Sequence, residues 1–337
     1  MKLQMNLEEV AHRARVSTAT VSRVLNNKNV VRGSTRDRVM KAIADLNYHP
    51  NLHARSLAAG RSHTFGIIVS NLENPFFYDI VNKVEAEAHN RGYEVVVANT
   101  DYRPDQLLKS IRLMAGRRVA GLAALVSEIQ PDIIEELSSA NFPVVLWDVS
   151  TDHQNLTNVR LNYRKSMEKL AGYLHMLGHS KRIAWLGHHV EFTPLSDRRD
   201  ALIDAFQLLA PNSEVRTFTG RDTLEGGWQT TREMLSSAFE PTAVVCANDF
   251  MAIGVLRALR EEGIAVPQHV SVTGLDNIKF SQFCNPTLTT VHVPRDRIGH
   301  IVFEKLFSGS ETPACHGSEF VIDPDLVIRE STGPARL

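Results

Sequence analysis

Only three cysteines occur in 337 residues, Cys246, Cys284 and Cys315, odd in number and widely spaced. That argues against a disulfide framework or a zinc site and suggests buried thiols in a reducing cytoplasm. No stretch approaches the roughly 18 apolar residues of a membrane span, and none at the N-terminus has the form of a signal peptide. A cytoplasmic location without a membrane partner is therefore expected. Walker A, Gly-x-Gly-x-x-Gly, Gly-x-Ser-x-Gly and His-Glu-x-x-His sequences are all missing. Phosphate cradles, nucleophile elbows and zinc-protease helices thus have no carrier. Gly178-His179-Ser180 runs into Lys181-Arg182 and makes no elbow. Neither a cofactor, a metal nor enzymatic activity is implied. Short repeats and low-complexity tracts are absent too, and the tail after Arg329 lacks the heptads of a coiled coil.

What is present is unevenly placed. The net charge is −1, yet residues 1–61 carry 11 Lys and Arg against 4 Asp and Glu, a net of +7. The remainder carries 26 against 34, a net of −8. A basic head on an acidic body is the footprint of a DNA contact made by one end. In that head, Asn6 with Glu9, and Ser17 with Thr20, have the spacing of reciprocal caps at two helix starts. Leu7, Val10, Ala11, Val16, Val21, Val24 and Leu25 can meet in one small core. Thr18, Ala19, Ser22, Arg23 and Asn26 then share the outer face of the second helix. Two short helices, a turn at Arg15-Val16-Ser17 and an exposed polar face with one arginine describe a helix-turn-helix, residues 1–50. A third helix is expected from Ser34, capped with help from Asp37, and ending near Asn47 because His49 precedes Pro50. Residues 51–61 form a helix-prone linker. A free helix that short is marginal in water, so a partner chain or DNA is needed to order it.

From Phe65 onward, short β-branched runs alternate with amphipathic stretches. Strands are expected at 65–69, 94–98, 121–125, 144–147, 183–186, 215–218, 243–246 and 270–273, with helices such as 76–91, 167–177, 197–209 and 249–262. Alternation over more than 200 residues predicts parallel, doubly wound α/β sheets, too many strands for one and therefore two lobes.

The run Val16-Ser17-x-Ala19-Thr20-Val21-Ser22-Arg23-Val24-Leu25-Asn26, followed by Tyr48-x-Pro50-Asn51-x-x-Ala54-Arg55-Ser56-Leu57, closely resembles the lactose/galactose repressor (LacI/GalR) family. So do Asn74-Pro75-Phe76-Phe77, Leu177-Gly178-His179, Cys246-Ala247-Asn248-Asp249, Gly274-Leu275-Asp276 and Pro286-x-Leu288-Thr289-Thr290. The resemblance covers nearly the whole chain. It implies an N-terminal all-α headpiece, a hinge helix at 51–61, and a periplasmic-binding-protein-like core of two lobes at 62–337. The chain is expected to cross between lobes three times, giving one lobe at about 62–161 and 292–322 and the other at about 162–291 and 323–331. A homodimeric transcriptional regulator, a repressor, on a pseudo-palindromic double-stranded operator follows from the same resemblance.

For DNA contact the resemblance transfers base reading to Thr18, Ala19 and Arg23, the last long enough for a bidentate contact with guanine. Ser17, Thr20, Ser22 and Asn26 suit phosphate positioning, although Ser17 and Thr20 serve equally as plain caps. Leu57 is the expected minor-groove wedge, flanked by Ala54 and Arg55 with Asn51 near phosphates; packing on the core is the alternative. Arg15 departs from the family's turn glycine and predicts a strained left-handed residue. For effector contact the matching positions are Asp148, Asn248 and Asp276 after strands and Arg198 on a helix N-terminus, with Asn74, Phe76 and Phe77 alongside. Carboxylates with Asn and Arg suit a polyhydroxylated ligand.

Three departures bear on the ligand. Arg198-Arg199-Asp200-Ala201 replaces the family's Arg-x-x-Gly, Asn162-Tyr163 replaces Asp-Asn, and Asp222 lies near an aromatic position of relatives. A more polar pocket is predicted, for a sugar, a sugar acid or another modified sugar. Arg160, Arg164, His188 and His189 either attract an anion or are solvated surface; the surface reading is preferred. Effector binding is expected to change the angle between lobes and so the pairing of the hinges. A sugar-binding transport protein would need an export signal and no basic head, and a sugar-modifying α/β enzyme would need its acids to act as a catalytic pair.

Overall fold

The computed structural model describes residues 7–25, 31–48, 62–149, 153, 155–188, 193–312 and 317–336. Two compact units divide the chain, Met1–Ser62 and His63–Leu337. In the first, α1 (Leu7–Ala14), α2 (Thr18–Leu25) and α3 (Gly33–Asp45) bury Val10, Ala11, Ala14, Val21, Val24, Val39 and Ala42 against one another. The bonds Arg15 N to His12 O (3.1 Å) and Val16 N to Ala11 O (3.0 Å) close the first helix. They hold Arg15 at φ +53, the left-handed geometry that costs a side-chain-bearing residue about 1 kcal/mol. Ser17 Oγ accepts from Thr20 N at 3.2 Å, as a cap should. The third helix differs from expectation. It begins at Gly33, and its capping residue Arg32 offers no side-chain bond. The Arg32 carbonyl takes the Thr35 and Arg36 amides, which leaves Ser34 inside the first turn.

The second unit opens with β1 (Thr64–Val69), α4 (Pro75–Asn90), β2 (Glu94–Asn99), α5 (Pro104–Gly116), β3 (Gly121–Leu125), α6 (Pro131–Ser138), β4 (Val144–Trp147) and β5 (Thr157–Leu161). It continues with α7 (Tyr163–Met176), β6 (Arg182–His188), α8 (Thr193–Leu209), β7 (Glu214–Gly220), α9 (Leu224–Ser236), β8 (Ala243–Cys246), α10 (Asp249–Glu261) and β9 (Ser271–Asp276). A 3-10 turn (Lys279–Gln282), β10 (Thr289–His292), α11 (Arg295–Glu311), β11 (Glu319–Ile322) and β12 (Asp325–Val327) complete it. The first sheet has the order β11-β5-β4-β3-β1-β2 and the second β12-β10-β9-β8-β6-β7. Among the described residues only β10 with β12 pairs antiparallel. The chain passes from one sheet to the other after β5, again between β10 and β11, and a third time between β11 and β12.

Strand order reverses at β1 in one sheet and at β6 in the other, the points where an open parallel sheet offers a crevice. Central strands such as β3, β4 and β8 are buried along their whole length, as strands covered by helices on both faces must be. Behind the second sheet, α9 and α10 approach backbone to backbone. A methyl on Gly254 would land on the Leu224 carbonyl oxygen, and one on Gly227 on that of Met251. Gly254→Ala is expected to lower stability by about 1–3 kcal/mol, the cost of forcing extra atoms into a packed interface. A thermal unfolding midpoint equal to the parent's would refute this contact. Among the described residues, no helix is long and apolar enough to cross a membrane.

Candidate functional site

On α2, Thr18, Ala19 and Arg23 are exposed while Val21 and Val24 are buried on the other side. Ser17 is exposed as well, with Thr20 and Ser22 half-buried at the edge of that face. A single long cation thus projects from a helix whose opposite face is fixed in a small core, the geometry needed to present one side chain to a groove. Asn26, Asn51, Ala54, Arg55 and Leu57 lie outside the described residues.

The second cluster gathers where the two sheets of the larger unit present their C-terminal strand ends. Asp148 follows β4 with φ +59. Its carboxylate accepts from Leu161 N at 3.1 Å and from the Tyr163 hydroxyl. Tyr163 in turn accepts from Arg198 Nη2 at 2.6 Å, and the Arg198 guanidinium lies 4.5 Å over the Tyr163 ring. Arg198 sits in the second turn of α8, past the helix N-terminus where it was expected. Its Nη1 donates to the Ala247 carbonyl at 3.3 Å. Its Nε is buried and finds no hydrogen-bond partner among the described residues. Asn248 caps α10, accepting from Met251 N at 2.8 Å. Asp276 is the last residue of β9, a strand that runs on to it from Ser271, whereas the sequence placed it in the loop beyond a shorter strand.

Asp222 joins the two sides. Its carboxylate accepts from the Tyr102 hydroxyl, from Asn248 Nδ2 at 2.6 Å and from Asn74 Nδ2 at 3.4 Å. Its backbone carbonyl accepts from Asn71 Nδ2 at 2.9 Å. Three of these four donors follow strands of the first sheet. Beneath them, the buried Glu128 accepts from Ser70 Oγ (2.6 Å), the Thr100 hydroxyl and Ser127 N (3.1 Å). Arg295, which opens α11, donates to Asp79 on α4 at 2.8 Å and to the carbonyls of Asp276 and Asn277. It ties the first lobe to the strand end carrying Asp276.

Burial sets the electrostatics. It pushes the Asp148 carboxyl up to about 6 against the pull of Arg198 and the Tyr163 hydroxyl. Asp276 is raised well above the carboxylate range, chiefly by burial, with Asp249 and Asp222 adding to it and Arg198 opposing. Burial alone would favour neutral Arg198, but Tyr163, Asp276 and Asp148 hold it charged. Burial first, then Asp222, raises the Tyr102 hydroxyl.

Of the positions expected from sequence, Asp148, Arg198, Asn248 and Asp276 are brought together, with Asn74 linked through Asp222. Phe76 and Phe77 differ. Both are buried in an apolar core, Phe76 with its ring 5.7 Å from that of Trp147. Asn74 also caps α4 through Phe76 N. Arg160 and Arg164 are occupied at the surface by Glu319 and Asp204; His189 lies outside the described residues. Tyr102 and Glu128 were missed, and Tyr163 was noted only within the Asn162-Tyr163 departure. One signal for Tyr102 was its place after a strand in Thr100-Asp101-Tyr102, where both Asp101 and Tyr102 take positive φ, a strain that collects at functional loops.

Residues 6–51 match the bacterial regulatory proteins of the lacI family, and residues 171–332 match a periplasmic binding protein-like domain. The chain is 34% identical over 330 residues to the HTH-type transcriptional repressor PurR of Mannheimia succiniciproducens, covering 96% of this chain and 98% of that one. Its structure is similar to that of the lac repressor dimer bound to operator and the anti-inducer ONPF, with a TM-score of 0.84 and 28% identity, over 98% of this chain and 99% of that chain. A LacI family transcriptional regulator from Enterococcus faecium with bound ribose aligns with a TM-score of 0.72 at 25% identity, over 81% of this chain and all of the other.

Proposed function

The chain belongs to the lacI family of bacterial regulatory proteins, and from that premise we propose that a small sugar or sugar-derived effector, bound between its two lobes, sets its hold on DNA. It is an operator-binding transcriptional repressor and not an enzyme. The effector reading is carried by one observation: Arg198 Nε is buried with no acceptor among the described residues, in a cluster of buried polar groups at the strand ends. A buried guanidinium nitrogen without a partner is costly, and a ligand oxygen removes that cost. The related regulator from Enterococcus faecium was solved with ribose, which favours the same chemistry. Thermal shift and calorimetry against a panel of sugars test the reading; no stabilisation by any member would sink it.

On the DNA side, Thr18, Ala19 and Arg23 read bases and Ser17, Thr20, Ser22 and Asn26 meet phosphates. Asn51, Ala54, Arg55 and Leu57 engage the minor groove, in a homodimer acting in the cytoplasm on a pseudo-palindromic site. Arg23→Ala is expected to weaken binding to the cognate operator by about 1–3 kcal/mol. Binding to random duplex should change little, and the parent's affinity should fall steeply with salt. Equal losses on cognate and random DNA would show that Arg23 contacts only phosphate. The effector acts by changing the angle between the lobes, a coupling of typically about 1–3 kcal/mol.

A further inference from the structure

The charges of the cleft are unequal, and the inequality says more about its occupant. Three aspartates, Asp148, Asp222 and Asp276, are buried there. One guanidinium, that of Arg198, stands among them, and it donates to the Tyr163 hydroxyl and the Ala247 carbonyl instead of to a carboxylate. The other nearby cation, Arg295, is paired with Asp79. Glu128, fully buried, adds another acid close to Tyr102. The formal balance is therefore negative. Two of the three aspartates are already served: Asp148 by Tyr163 and Leu161, Asp222 by Tyr102, Asn248 and Asn74. The Asp276 carboxylate receives no hydrogen bond from any described residue, while its backbone carbonyl accepts from Arg295 and from Val293 N.

We propose that the effector is an amino-substituted polyol, with a protonated amine against the Asp276 carboxylate and a neighbouring hydroxyl or ring oxygen accepting from Arg198 Nε. This deepens the reading of the cleft as the effector site and rests on it. The Asp276 carboxylate has no donor among the described residues, and a ligand cation supplies both a charged donor and a charge that offsets the acid excess. A carboxylate or phosphate on the ligand would instead add to a site already in acid excess, against the expectation of a sugar acid. A bare cation would leave Arg198 Nε unanswered, so the amine must come with oxygens. The upward shift of Asp276 agrees: burial, with Asp249 and Asp222, disfavours its charge by more than the nearby Arg198 and Arg295 favour it.

The test is calorimetry on the full-length protein with matched sets of gluco, galacto and manno configuration, each containing the hexosamine, the parent hexose and the hexuronate, with spermidine as a cation lacking hydroxyls. A hexosamine is expected to bind about tenfold tighter than its parent hexose, the difference between a charged and a neutral hydrogen bond, with no measurable binding of hexuronates or spermidine. Asp276→Asn should erase the preference for the amine over the parent hexose. A hexose or hexuronate binding as well as the hexosamine overturns the amine while sparing the effector site. Spermidine matching the hexosamine overturns the need for oxygens. An amine preference that survives in Asp276→Asn overturns the role of Asp276, and silence from every sugar overturns the cleft reading with it. The panel on the parent protein decides the matter even if the variant folds poorly.

Discussion

Asp222→Ala is expected to cost about 3–5 kcal/mol of folding stability, near the upper end for one substitution. Truncation removes the acceptor shared by the Tyr102 hydroxyl, Asn248 Nδ2 and Asn74 Nδ2. Each buried donor stripped of its partner carries a penalty of about 1–3 kcal/mol, least for the long bond from Asn74. The bond from Asn71 to the Asp222 backbone carbonyl survives on paper. It loses its support when the loop before α9 is no longer held. Asp222→Asn keeps one acceptor oxygen and should lose less than half as much. Thermal unfolding decides between outcomes: for a unit of this size, each kcal/mol moves the midpoint by roughly 2–4 °C. A shift of a degree or less in Asp222→Ala would mean that the lobes do not depend on this junction.

The second large effect depends on pH. Asp249 is buried at the start of α10, accepting from Thr290 Oγ1 at 2.5 Å and from Ile278 N at 2.9 Å. Burial still raises its carboxyl from 3.8 to about 7. The folded state therefore binds the proton more tightly than the unfolded chain does. Stability from this group is complete below the unfolded value, falls as pH rises toward 7, and levels off above it. At about 1.4 kcal/mol per pH unit between the two values, the loss is on the order of 4 kcal/mol. An asparagine here accepts from Ile278 and donates to Thr290 without titrating. Relative to the parent, Asp249→Asn should thus gain several degrees in midpoint between about pH 5 and about pH 8. Parallel curves for the two proteins across that range would refute the assignment. Asp148, pushed up to about 6 by the same burial, contributes in the same direction in both proteins.

Local pattern carried the elements well. The run Gly121–Leu125 is a strand over those same residues because a strand buried on both faces is apolar throughout. The spacing of Ser17 and Thr20 marked the start of α2 because the cap bond is itself local. Asp148, Arg198, Asn248 and Asp276 were legible through the family resemblance, and three of them, Asp148, Asn248 and Asp276, sit at or just past strand ends that converge on one crevice. What escaped was set by partners far along the chain. Tyr102 meets Asp222 across 120 positions, and Glu128 is sealed by hydroxyls from two other strand ends. Nothing adjacent to Glu128 announces this, and the place of Tyr102 after a strand does not name its distant partner. Ser34 misled for the opposite reason: its side chain suits a cap, but the Arg32 carbonyl had already taken the first free amides.

The three passages between sheets constrain how the molecule is made. β11 completes the edge of one sheet and β12 that of the other, and they lie within residues 319–327. A nascent polypeptide emerging from the ribosome therefore leaves both halves unfinished until residues 319–327 appear. A premature stop before 319 strips a strand from each half at once, so truncation should yield aggregates or fragments cleared by proteases, with neither lobe left as a working receptor.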